Sequence, residues 1–110
     1  MGRVAELGSL GIMVTPRSLT EFQETCEREL GLALAARGSA LAGRTLAGES
    51  ETYIHAFVRD TDVEVYIYED EAQFHQSGKA AGIFEHQDFD TPAQLQAAFI
   101  RGVLTTIHDA

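Results

Sequence analysis

Between Glu51 and Asp70 the chain reads ETYIHAFVRDTDVEVYIYED. Strand side chains alternate between faces, so this stretch sorts into two sets. Folding it at Asp60-Thr61 places Val58 opposite Val63, Ala56 opposite Val65 and Ile54 opposite Ile67. All six are apolar and share one face. The other face receives Phe57 with Glu64, His55 with Tyr66 and Tyr53 with Tyr68. A slip of one residue would scramble both faces, so the pattern itself specifies the register. Asp-Thr is a weak two-residue turn, and a four-residue loop over Arg59 to Asp62 preserves the same pairing.

Working outward from the hairpin, a helix is predicted on either side. Leu19, Phe22, Cys26, Leu30, Ala33 and Leu34 recur at spacings of three and four, which makes one apolar stripe. Ser18 with Glu21 fits a capping box, and Thr20 with Gln23 offers the same chemistry two residues later. Gly38 is a natural stop. At the other end, Thr91-Pro92-Ala93-Gln94 combines a capping threonine with proline at the first helical position. Leu95, Ala98, Phe99, Gly102, Val103, Thr106 and Ile107 then follow helical rhythm. A second, narrower stripe of Ala97, Ile100 and Leu104 is either the rim of the core or a contact surface.

The segments between are less explicit. Ser39 to Glu51 is rich in small residues and reads as a linker. The run from Glu69 to Asp90 has two readings. In one, the second strand ends near Glu69, DEAQFHQ forms a turn or short helix, and a third strand starts near Ala81. In the other, the second strand bends near Asp70 and runs to a turn at Ser77-Gly78, pairing Ala72 with Ile83 and Glu69 with His86. Residues 1–15 read as a leader or a short strand at LGIMVT. The expected fold is therefore α+β in the order α-β-β-β-α, a two-layer sandwich. Two helices cover one face of an antiparallel sheet of three to four strands, and 16–110 form a single domain.

Composition narrows function by exclusion. The 110 residues suit one domain, and the net charge of −9 would repel a nucleic-acid backbone. The opening residues do not resemble a signal peptide, because Glu6 interrupts them. No run approaches the ~18 apolar residues of a membrane span. A cytoplasmic protein is expected. The single cysteine, Cys26, lies on the helical stripe and should be a buried, inert thiol. There is no GxSxG, P-loop, GxGxxG after a strand, or CxxC, so no catalytic residue and no cofactor is assigned.

The candidate site is the aromatic hairpin face: Tyr53, His55, Phe57, Glu64, Tyr66 and Tyr68, with Glu69 and Asp70 beside it. Tyrosines give large contact area at small entropic cost, and the carboxylates would steer a basic partner. Three readings compete for this face: ordinary half-covered sheet, a homodimer contact, or a platform for another protein or a small ligand. The acidic residues Glu64, Glu69, Asp70, Glu71, Glu85, Asp88 and Asp90 are either a solvated rim or complementarity to a basic protein. The functional expectation is a non-enzymatic interaction module, self-associating or holding a basic partner protein. Its rival is a small-ligand or metal site using His55, His86 and Glu69, since imidazole plus carboxylate is a legitimate zinc shell; no HExxH or closely spaced ligand pair supports it. A third possibility is a structural subunit whose Ala97, Ile100 and Leu104 stripe packs on another chain.

Overall fold

The computed structural model describes residues 18–109. The expectation for residues 1–15 lies outside them. Two α-helices flank five strands: α1 (Glu21–Ala35), β1 (Leu41–Ala47), β2 (Tyr53–Val58), β3 (Val63–Ile67), β4 (Ala72–Gln76), β5 (Lys79–Phe84) and α2 (Pro92–Asp109), with a short 3₁₀ turn at His86–Asp88. The strands form one antiparallel meander in chain order. The fold is α+β, as expected, with five strands in place of three to four.

The hairpin register is the predicted one. Ile54 pairs with Ile67, His55 with Tyr66, Ala56 with Val65 and Phe57 with Glu64. The loop is the four-residue one, with Asp60 at a φ of 64°. Thr61 closes it, its hydroxyl donating to the Val58 carbonyl at 2.9 Å and accepting from the Val63 amide at 3.0 Å.

The extra strands correct the reading of the flanking segments. The supposed linker holds β1, an edge strand antiparallel to β2. Its sequence, LAGRTLA, has little strand propensity of its own. It becomes a strand because β2 supplies the hydrogen bonds, and because Leu41 and Leu46 land opposite Val58 and Ile54. Between Ala42 and Thr45 the register shifts in a bulge, where Gly43 takes a φ of 63° that a side chain would resist. Arg44, carried out of the ladder there, reaches Glu27 on α1 with two guanidinium nitrogens.

Neither reading of Glu69 to Asp90 is right. The second strand stops at Ile67, and the Tyr68 amide donates to the Glu71 carbonyl at 2.8 Å, reversing the chain. AQFHQ is then a strand, neither a helix nor a continuation. The turn at Ser77-Gly78 is where one reading placed it, with φ of 53° and 80° that suit a primed hairpin turn. The register differs by one: Ala72 pairs with Phe84, not Ile83. Gln73 and His75 concealed the alternation that Ala72 and Phe74 carry inward.

Both helices pack on one face of the sheet. Cys26, Leu30 and Leu34 of α1 and Leu95, Phe99 and Val103 of α2 meet Ile54, Ala56, Val58, Val63, Val65, Ile67, Ala72 and Phe74 in one core. Thr20 and Gln23, rather than Ser18 and Glu21, form the capping box that starts α1. Glutamine wins because its side chain is fully buried and continues inward, donating to the carbonyls of Thr52 at 2.7 Å and Ile67 at 3.1 Å. Burial raises the Cys26 thiol to about 12, so it stays protonated and inert.

Candidate functional site

With both helices on one side, strand alternation leaves Tyr53, His55, Phe57, Glu64 and Tyr66 on the other. Their rings are continuous. Phe57 meets His55 edge-on at 5.1 Å, His55 stacks on Tyr66 at 4.7 Å, and Tyr66 meets His75 of β4 at 4.6 Å. Tyr53 lies 6.3 Å from Tyr66 and 5.0 Å from Tyr68. All but Phe57 are half-buried by one another, while Phe57 is 41% exposed and Ile83, opposite Gln73 on this face, 59% exposed. Two of the three large hydrophobic side chains that stand exposed among the described residues therefore sit here; Leu32 is the third.

Glu64 lies among the rings. Its Oε1 is 2.8 Å from His55 Nε2 and accepts the Tyr66 hydroxyl at 3.1 Å. A carboxylate only accepts, so His55 presents the proton at Nε2. The hydrogen bond from His55, and then that from Tyr66, hold the Glu64 carboxyl below its ordinary value of 4.5 against the opposing effect of burial. The Tyr66 hydroxyl is raised, first by burial and then by its bond to Glu64. Tyr68 is raised by burial and by the neighbouring Tyr53 and Glu51. These phenols remain neutral donors at physiological pH. The trio resembles an acid–base set in composition, yet Tyr66 is tied to Glu64 and the buried Cys26 thiol is on the opposite side of the sheet. Its chemistry suits holding a cation: π faces, a carboxylate, and neutral hydroxyls.

A depressed carboxyl stabilises the fold above its ordinary value and loses that contribution as pH falls through the folded value. The difference in unfolding free energy between the natural chain and Glu64→Gln is accordingly expected to be largest above pH 4.5 and to shrink steadily below it. Urea midpoints from pH 3 to 7 would show this. A pH-independent difference would mean that Glu64 is not held by His55 and Tyr66 in solution.

The remaining sequence candidates lie at the β3–β4 turn. Glu69 is exposed, and its backbone carbonyl, not its carboxylate, is engaged by the Thr20 hydroxyl at 2.9 Å. Asp70 joins Glu71 and His86: His86 Nδ1 lies 3.5 Å from Asp70 Oδ2 and 3.1 Å from Glu71 Oε2. The alternative metal set His55, His86 and Glu69 is thus divided. His55 pairs with Glu64 on the open face, whereas His86 pairs with Asp70 and Glu71 at the turn. One ligand atom from each of Asp70, Glu71 and His86 falls within 4.8 Å of the others, a spacing a divalent cation would accept. Two of the three are exposed, and the same distances are those of an ordinary histidine–carboxylate contact at a surface turn.

Beside this turn the open face ends in a small pocket of about 210 Å³, lined by Glu51, Tyr68, Asp70, Glu71, Gln73, Ile83 and Glu85 among others. Four carboxylates, from Glu51, Asp70, Glu71 and Glu85, make it strongly acidic. Glu51, Gln73 and Ile83 were not read from the sequence as part of the site. The β4 and β5 residues were hidden by the unrecognised strand pairing, and Glu51 by its position in a supposed linker. No protein family, curated protein or solved structure matches this chain. Among the described residues, no helix is long and apolar enough to cross a membrane.

Proposed function

We propose that this chain is a non-enzymatic interaction module that holds a basic partner protein against the ring-bearing face of its sheet. One observation carries the reading: the ring series is covered by neither helix and ends in the acidic pocket. Lysine or arginine side chains of a partner would lie over Tyr66 and Tyr53 beside Glu64, gaining cation–π and charge-assisted contact together. The pocket of about 210 Å³ suits the head of one such side chain. Phe57 and Ile83 would supply the apolar contact toward the opposite edges.

Charge favours a basic partner over a second copy. Two chains of net −9 stacked face to face would each bring Glu64 and an acidic corner to the contact, and like-charge juxtaposition works against such pairing. The working location in this reading is the cytoplasm.

Truncating a central interface tyrosine costs about 2 kcal/mol or more, roughly thirtyfold in Kd. Tyr66→Ala and Tyr68→Ala are each expected to weaken the complex on that scale, and raising salt should slow its formation. The experiment is capture on the tagged natural chain at low and high salt, followed by calorimetry of the purified partner against both variants. If the partner is not basic, or binds both variants with undiminished affinity, the reading fails. A concentration-dependent dimer in sedimentation, abolished by Tyr66→Ala, would replace it with self-association.

A further inference from the structure

The helix layer carries a second concavity of opposite character. A groove of about 1100 Å³ runs along α2 from Ala93 to His108, and Glu29 of α1 with Arg37 and Ser39 beyond it form the facing wall. The two helices are tied near their N-terminal ends, where the Gln96 amide donates to the Phe22 carbonyl at 3.2 Å. Along the groove stand Ala97, Ile100, Leu104 and Ile107. The last three are only partly buried, one side of each packing on the core.

The charges set this groove apart from the rest of the molecule. Among the described residues, Arg28, Arg44 and Arg59 each have a carboxylate partner, in Glu29, Glu27 and Asp60. Arg37, Arg101 and Lys79 have none, and two of those three line the groove, with His108 beside them. Its one carboxylate, Glu29, already lies 3.6 Å from Arg28. A chain of net −9 thus keeps two uncommitted guanidinium groups on the borders of an apolar floor.

Size indicates the shape of what fits. Ala93 to His108 spans about 22 Å of helix. A groove of about 1100 Å³ over that length has a mean cross-section of about 50 Å². A helix about 10–12 Å across presents about 80–110 Å², so it would sit about half sunk. We infer that this groove docks an amphipathic helix of a partner protein, with apolar residues at i, i+3 or i+4 and i+7 on the floor and acidic residues on its borders meeting Arg37 and Arg101. With a basic partner on the sheet face, the molecule would bridge two proteins of opposite charge. The groove stands independently of that reading, because it shares no residue with the sheet face.

The test uses the whole chain and a fluorescein-labelled synthetic helix of about 15 residues, with leucines on one face and glutamates on its flanks. A matched peptide carries lysines in place of the glutamates. Anisotropy is expected to show the glutamate peptide binding about tenfold tighter than the lysine peptide. Arg37→Glu with Arg101→Glu should invert that preference. Both positions are exposed, so the fold should tolerate the change. Tyr66→Ala should leave peptide binding intact, which separates this site from the sheet face. Equal binding of the two peptides, or a preference unmoved by the charge reversal, would overturn the proposal. So would dodecanoate binding where neither peptide binds, or a dimer in sedimentation that Ala97→Glu dissolves, since either would put a different occupant in the groove.

Discussion

Gln23→Leu is expected to destabilise the protein by about 2–4 kcal/mol, although leucine is the more apolar residue and the site is fully buried. The Gln23 amide nitrogen donates to the carbonyls of Thr52 and Ile67, and its oxygen accepts from the Thr20 amide at 2.9 Å. Leucine fills similar space and satisfies none of them. A polar group left buried without a partner costs about 1–3 kcal/mol, and three would be orphaned, the Thr20 amide partly reachable by water. For a domain of this size the Tm should fall by roughly 10–25 °C. The same side chain joins the start of α1 to the end of β3 and to the entry of β2, so its loss should loosen all three. Urea denaturation followed by circular dichroism measures the change. A loss below about 0.5 kcal/mol, the range of unremarkable surface substitutions, would mean that the carbonyls find other donors.

Phe74→Ala should cost about 3–5 kcal/mol, the usual penalty for emptying an aromatic site in a close-packed core. Phe74 is nearly fully buried and sits among Phe84, at 6.2 Å between ring centroids, and Phe99, at 6.4 Å. Two glycines make room for it. A Cβ on Gly82 of β5 would stand 2.4 Å from the Phe74 ring, and one on Gly102 of α2 would stand 2.9 Å from it. The ring cannot step aside, because its neighbours are rings. Gly102→Ala is therefore expected to destabilise by about 1–3 kcal/mol through overpacking, against the usual preference for alanine in a helix. Combining Gly102→Ala with Phe74→Leu should cost less than the two single changes added, because the smaller side chain vacates the space the methyl needs. Additive losses in a double-mutant cycle would show that the glycine and the ring do not compete for the same space.

These two positions mark where reading from the chain alone stops. Gly102 was visible as a member of the α2 stripe, but nothing local says that a ring from a strand 28 positions earlier presses on it. Gln23 was visible as one of two capping choices. Its burial depends on where Thr52 and Ile67 bring their carbonyls, and that is a property of the assembled sheet. The apolar stripe of Ala97, Ile100 and Leu104 was legible as a surface. That it faces Arg37 across a groove required the placement of α1 beside α2.

The pattern from Tyr53 to Ile67 carried its own solution. Two apolar rows and two aromatic rows alternate in step, and only one register keeps both intact, so hairpin, inward face and ring-bearing face all follow from order along the chain. The helices were equally explicit, because their stripes recur at helical spacing and their caps are chemical. β1 and β4 had no such signature. Glycine, alanine, glutamine and histidine have weak preferences of their own, and these segments became strands because neighbouring backbones offered hydrogen bonds and apolar partners. Local preference could not supply those partners; they exist only once β2 and β3 stand in place. The same assembly gathered Glu51, Asp70, Glu71 and Glu85 into one acidic corner and left Arg37 and Arg101 together on the opposite layer, because charges distant in sequence become neighbours only when strands and helices pack.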